Sequence, residues 1–102
     1  MNTVVSEKEI TRGIREILRA HGIFHYKAWQ GALSEKGIAD IIGVLPGGKA
    51  LAIEVKTKRG RLSEYQEKFL DRFKAAGGIA FVARSPGDVI KKLGLPVMFA
   101  DI

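Results

Sequence analysis

Asp40, Glu54 and Lys56 are charged residues set inside two apolar runs, Gly37-Ile38-Ala39-Asp40-Ile41-Ile42-Gly43-Val44 and Lys49-Ala50-Leu51-Ala52-Ile53-Glu54-Val55-Lys56. Strand side chains alternate between faces, so Glu54 and Lys56 share one face and Ile53 and Val55 the other. The segment Pro46-Gly47-Gly48 between the runs reads as the turn of an antiparallel hairpin. A three-residue loop pairs Leu45 with Lys49, and counting outward sets Asp40 opposite Glu54 on one face. A two-residue turn at Gly47-Gly48 would instead set Asp40 opposite Val55, on the wrong face, so the first register is expected. Two carboxylates and a lysine then converge on one patch. Half-buried charges are costly unless paired or bound to a cation. Two adjacent carboxylates suit a hard divalent ion such as Mg²⁺, leaving the lysine to face a phosphate or a water. The plainer alternative is a structural Glu54–Lys56 ion pair with Asp40 at a strand start.

The elements that must position this patch follow from patterning. Ser6 and Glu9 form a capping box, with Val5 and Ile10 as a hydrophobic staple, and so start a first helix. Ile10, Ile14, Ile17, Leu18 and His21 make its buried stripe, and Gly22 stops it. Lys8, Arg12, Arg15 and Arg19 form a basic stripe, open to reading as a solvated face or as a phosphate-facing one. Glu9 also carries two readings, a cap and a functional acid, and the residues alone favour the cap. Ile23 to Trp29 reads as a first strand, and residues 30–37 as a polar loop. Trp29, Gln30, Ser34 and Lys36 stand where they would contact a substrate backbone; the alternative tucks Trp29 into the core. His21 and His25 are given no role.

Beyond Lys56, the basic loop Thr57-Lys58-Arg59-Gly60-Arg61 would hold a phosphate backbone beside the acidic patch. Ser63 and Gln66 form a second capping box, opening a helix whose buried face is Phe69, Leu70, Phe73 and Ala76 and whose end is Gly77-Gly78. Ile79 to Ala83 is a wholly apolar strand, expected to be covered on both faces. Ser85-Pro86-Gly87-Asp88 starts a third helix, closed by Gly94 and Pro96, and Val97 to Ile102 forms an edge strand or a tail. The order α-β-β-β-α-β-α gives an α/β fold, a mixed sheet flanked by helices. The Glu54 and Ile79 strands are expected parallel, through a right-handed crossover.

Composition narrows the classes. A chain of 102 residues fits one domain, 1–102. No apolar run approaches the roughly 18 residues of a membrane span, and Met1 to Glu9 lacks a signal-peptide core. The absence of cysteine excludes disulfides, zinc thiolates and a cysteine nucleophile, and suits a reducing cytoplasm. Two histidines argue against a histidine-rich metal site. A net charge of +6 favours a polyanionic partner.

Together, Gly37-Ile38-Ala39-Asp40, Glu54-Val55-Lys56 and Leu62-Ser63-Glu64-Tyr65-Gln66 resemble the PD-(D/E)XK nuclease superfamily and, more narrowly, its small VRR-NUC (virus-type replication-repair nuclease) domain. The likeness runs from about Glu9 to Val82. Ala39 stands where the family has a proline, a backbone device and not a ligand. The resemblance implies a restriction-endonuclease-like core with Asp40, Glu54 and the Val55 carbonyl as ligands to Mg²⁺ or Mn²⁺. It also implies Lys56 beside the attacking water, Gln66 supporting the site, and Glu9 completing it through water or a second ion. Lys8, Arg12, Arg15, Arg19, Ser34, Lys36, Lys58, Arg59 and Arg61 are then the expected DNA contacts.

The activity so implied is structure-selective cleavage of DNA, foremost Holliday-junction resolution by a homodimer of a phage- or prophage-type protein. Flap-endonuclease or exonuclease action is the alternative within the class. A non-catalytic nucleic-acid-binding module is the alternative outside it. With no recognition helix or zinc finger evident, DNA structure and not base sequence is the expected target.

Overall fold

In the computed structural model, which describes residues 5–96, the elements run α1 (Glu7–Ala20), β1 (Phe24–Lys27), β2 (Ile41–Val44), β3 (Ala50–Val55), α2 (Glu64–Ala75), β4 (Ile79–Ala83) and α3 (Pro86–Leu93). This is the expected α-β-β-β-α-β-α order of an α/β fold. The strands form one mixed sheet in the order β1-β2-β3-β4. The first three pair antiparallel, while β4 joins β3 in parallel after the α2 crossover.

The hairpin closes as the charge pattern requires. Ile41 pairs with Ile53 and Val44 with Ala50. The Leu45 N–H donates to the Lys49 carbonyl at 2.8 Å, and the Gly48 N–H to the Leu45 carbonyl at 2.8 Å. Gly47 and Gly48 take φ of 98° and 100°, a region that glycine enters without a Cβ penalty. The ladder therefore carries Asp40 to a place opposite Glu54. The other register would have set Asp40 and Glu54 on opposite faces of the sheet.

Each sheet face has its own core. On one side Ile10, Ile14 and Leu18 of α1 and Val89 of α3 pack on Ile41, Leu51, Ile53, Val55, Phe81 and Ala83. On the other, Leu70 of α2 lies on Ala52 and Ala80, with Ile42, Phe69, Phe73 and Val82 around it. With five of its six residues buried, β3 is the central strand of the covered sheet. Glu54 belongs to the α2 face by parity, at the carboxyl end of β3.

Several expectations on element limits and burial change; Ile17 and His21, for instance, are only partly buried in the stripe of α1. The first strand is Phe24–Lys27, because Gly22 (φ 68°) ends α1 and the Ile23 N–H closes the helix on the Leu18 carbonyl at 2.9 Å. The first apolar run is a strand only from Ile41; before it, Gly37 (φ 77°) lies against the backbone of Tyr65 and Gln66. A Cβ there would stand 2.3 Å from the Tyr65 carbonyl oxygen, so only glycine lets this segment cross the first turn of α2. Ala76 is exposed as the cap of α2 and does not join its buried face. Trp29 is not in the core, being 67% exposed. The expectation for Val97 to Ile102 lies outside the described residues.

Candidate active site

Three elements meet at Glu54. It is the next-to-last residue of β3, at 2% exposure, deeper than a carboxylate is ordinarily found. One oxygen, Oε2, is satisfied: the Gln66 amide donates to it at 3.0 Å, and Lys56 Nζ stands 3.7 Å away. The other, Oε1, is buried without a hydrogen-bond partner in the protein. Asp40, just ahead of β2, is half-buried and held by two donors. The Val55 N–H reaches its Oδ2 at 2.7 Å, and the Gln30 amide reaches its Oδ1 at 3.2 Å.

Burial first, and then the negative charge of Asp40, push the Glu54 carboxyl up to about 8; Lys56 opposes the shift and Glu7 adds to it. A proton on Oε1 would turn the repulsion into a hydrogen bond onto Asp40, a further cause of the rise. Two carboxylates this close share either a proton or a cation.

Local sequence explains how Gln66 arrives. It is the third helical residue of α2, and its side-chain Oε1 accepts from the Ser63 N–H at 2.9 Å, completing the capping box. That bond leaves the Nε2 end free to turn inward to Glu54. A glutamine thus caps the helix with one end and holds the buried acid with the other. Glu9 occupies the equivalent place in α1, but its Oε1 meets the Ser6 N–H at 3.3 Å and the Ser6 hydroxyl at 3.2 Å. Among the described residues, no three acidic, histidine or cysteine side chains are grouped to hold a metal ion. Glu9 lines the same groove as Asp40.

The expected DNA contacts divide into three places. Lys8, Arg12, Arg15 and Arg19 line one open groove of about 590 Å³ with Lys27, Gln30, Glu7, Glu9 and Asp40. The basic stripe of α1 thus leads to Asp40. Within it, Arg15 Nε donates to His25 Nε2 at 3.3 Å. Lys58, Arg59 and Arg61 lie on the loop after β3. Arg84 holds that loop: its Nη1 donates to the carbonyls of Thr57 and Gly60, each at 2.7 Å, and of Lys58 at 3.3 Å. Ser34 and Lys36 stand apart from the groove, Ser34 donating to the Gly31 carbonyl at 2.7 Å and Lys36 Nζ lying 5.0 Å over the Tyr65 ring.

Nothing in the sequence marks Glu7, Gln30 or Arg84 for these roles. Glu7 is one of two acids in the first turn of α1, where helix-dipole complementarity already accounts for both. Gln30 sits in a polar loop, ten residues from the aspartate it orients. Arg84 is a lone arginine after an apolar strand, and its partners lie 24 to 27 residues away.

An α/β domain with a mixed sheet, acids meeting across a β2–β3 hairpin, and a lysine two places on has the architecture of a restriction-endonuclease-like domain. The VRR-NUC domain model matches residues 1–86, so the chain belongs to the VRR-NUC family, a nuclease-type domain. A solved structure described as a VRR_NUC domain superposes with a TM-score of 0.73 at 25% identity, over 89% of this chain and 97% of that one. No curated protein matches the chain. Among the described residues, no helix is long and apolar enough to cross a membrane.

Proposed function

We propose that residues 1–102 form a single nuclease domain that hydrolyses DNA phosphodiester bonds, with Mg²⁺ or Mn²⁺ held by Asp40, Glu54 and the Val55 carbonyl. The observation that carries this reading is Glu54 Oε1, a buried oxygen without a donor, set beside a second carboxylate. The donor set fits a hard divalent ion, which takes oxygen ligands and keeps several waters. In an extended strand the N–H and C=O of one residue face the same neighbour, so the Val55 carbonyl faces the Asp40 side where its N–H already bonds. An ion bound there would lower the pKa of a water and neutralise charge developing on the phosphate.

The chain's own residues do the rest. Lys56, its side chain only 13% exposed, keeps an ammonium beside Glu54 to orient the attacking water or to meet charge on the phosphate. Gln66 fixes the Glu54 rotamer and leaves its second oxygen unbonded, where it would serve as a ligand. Gln30 and the Val55 N–H fix Asp40. Glu9 acts through water at the groove, beside Asp40. Lys8, Arg12, Arg15 and Arg19 neutralise backbone phosphates along the groove, and Lys58, Arg59 and Arg61 do so at the end of β3, mostly without base readout.

The substrate is branched DNA, foremost a four-way junction cut by a homodimer, because a two-fold axis presents two sites at once. Phe24 and its cross-strand partner Val44 are exposed, as is Tyr26 on the same face, which offers such a dimer an apolar surface at the sheet edge. The phage- or prophage-type origin rests on the resemblance alone.

Cleavage of labelled junction, flap and linear DNA with Mg²⁺, Mn²⁺ or EDTA tests the assignment. Cleavage that survives Asp40→Ala and Lys56→Ala removes the site. A monomer at micromolar concentration, with and without junction DNA, removes the dimer. Preference for flaps or ends over junctions makes it a flap endonuclease or exonuclease.

A further inference from the structure

Trp29 is a large apolar side chain left 67% exposed. Its neighbours in sequence are both tied to Asp40. The Ala28 N–H donates to the Asp40 carbonyl at 2.8 Å, and the Gln30 amide donates to the Asp40 carboxylate at 3.2 Å. The backbone carrying the indole is therefore anchored on the acid that lines the basic groove. The ring itself is seated. It lies against Gly31, where an added Cβ would come within 1.8 Å of indole Cζ2. Any larger residue at position 31 would push the ring out of place. Packing against a glycine backbone leaves the rest of the ring open to solvent.

We propose that Trp29 is a stacking platform for the base of an unpaired nucleotide whose backbone lies in the basic groove that Asp40 lines. Every base has a π-face, so an open indole binds bases without reading their sequence. In a duplex those faces are covered by neighbouring base pairs. A fixed aromatic ring beside the site therefore favours nucleotides at ends, flaps, frayed arms and junction centres. The cations of the groove hold the backbone while the indole tests whether a base is free. This deepens the nuclease reading and rests on it for the neighbouring phosphate, but base binding itself needs no cleavage.

The chain has one tryptophan, so its fluorescence reports on this ring alone. The whole protein is titrated at low salt in EDTA with a short oligothymidine, with an abasic oligonucleotide of the same length and with a blunt duplex. Binding is followed in parallel by anisotropy of a labelled strand. Expected are quenching by oligothymidine but not by the abasic strand, and a loss of about 5- to 100-fold in single-strand affinity in Trp29→Ala. Trp29→Phe recovers most of that loss, duplex affinity stays within about twofold, and circular dichroism shows the exposed substitution to be folded. Unchanged fluorescence at saturation, equal affinity in Trp29→Ala, or no binding of any strand overturns the proposal. Quenching without Mg²⁺- or Mn²⁺-dependent cleavage keeps the platform and removes the nuclease. Asp40-dependent cleavage without quenching does the reverse.

Discussion

Two helix starts in this molecule carry the same local motif. At α1, Ser6 and Glu9 complete a capping box; at α2, Ser63 and Gln66 do the same. Yet the first box is exposed and its acid turns back on its own serine, while the second reaches the buried carboxylate of Glu54. The chemistry of the third helical residue explains the difference. A carboxylate only accepts hydrogen bonds, so a glutamate at position 66 would add a third negative charge to the Asp40–Glu54 pair. An amide accepts with one end and donates with the other. The cap sets the backbone, and the amide lets it serve the site.

The largest effects should come from the acid pair that the second box supports. Glu54→Gln should reduce metal-dependent cleavage by about 10³-fold, as loss of preorganised charge stabilisation does. The same change should stabilise the metal-free protein at pH 7, by about 1–3 kcal/mol in urea denaturation. It removes an acid that ionises readily only when unfolded. A variant both inactive and less stable would argue that Glu54 is an ordinary structural ion pair with Lys56.

Gln66→Glu comes next. The box should survive, but cleavage should fall about 10- to 100-fold, as when a residue orienting a metal ligand is lost. If activity is unchanged, the amide donor is not what the site uses. Arg84→Ala should release the Thr57–Gly60 loop, lowering stability by about 1 kcal/mol and weakening DNA binding without changing metal affinity. Glu9→Gln should have the smallest effect, with stability within about 0.5 kcal/mol because glutamine also completes the box. A few-fold loss of cleavage would place Glu9 at the ion through water; no loss would leave it as the cap alone.

Much of this arrangement was readable before any coordinates. The hairpin register followed from parity, because one loop length put Asp40 and Glu54 on a shared face and the other did not. The capping boxes, the crossover and the element order followed from local signals of the same kind. Depth did not. Periodicity says which way Trp29 or Ala76 faces, but not whether a neighbour covers it. Roles assigned by distant contact were also hidden. Gln30 meets Asp40 and Arg84 meets Gly60 through the fold, and no spacing rule relates them. Resemblance places Gln66 at the site; its two-ended bonding is visible only once Gly37 brings the hairpin against the first turn of α2.

The raised Glu54 carboxyl gives the most direct test. With folded value about 8 against an ordinary 4.5, the metal-free protein holds a proton there that the unfolded chain releases. Its contribution is therefore full below about 4.5 and is lost progressively as pH rises from there through 8. A divalent ion competes with that proton. Calorimetric titration with Mn²⁺ from pH 6 to 8, in buffers of differing ionisation enthalpy, should show close to one proton released per ion at the acid end. Affinity should fall about tenfold per pH unit below 8, and Glu54→Gln should abolish both the proton release and most of the binding. Binding that is independent of pH, releases no proton and persists in Glu54→Gln would contradict a cation held between Asp40 and Glu54.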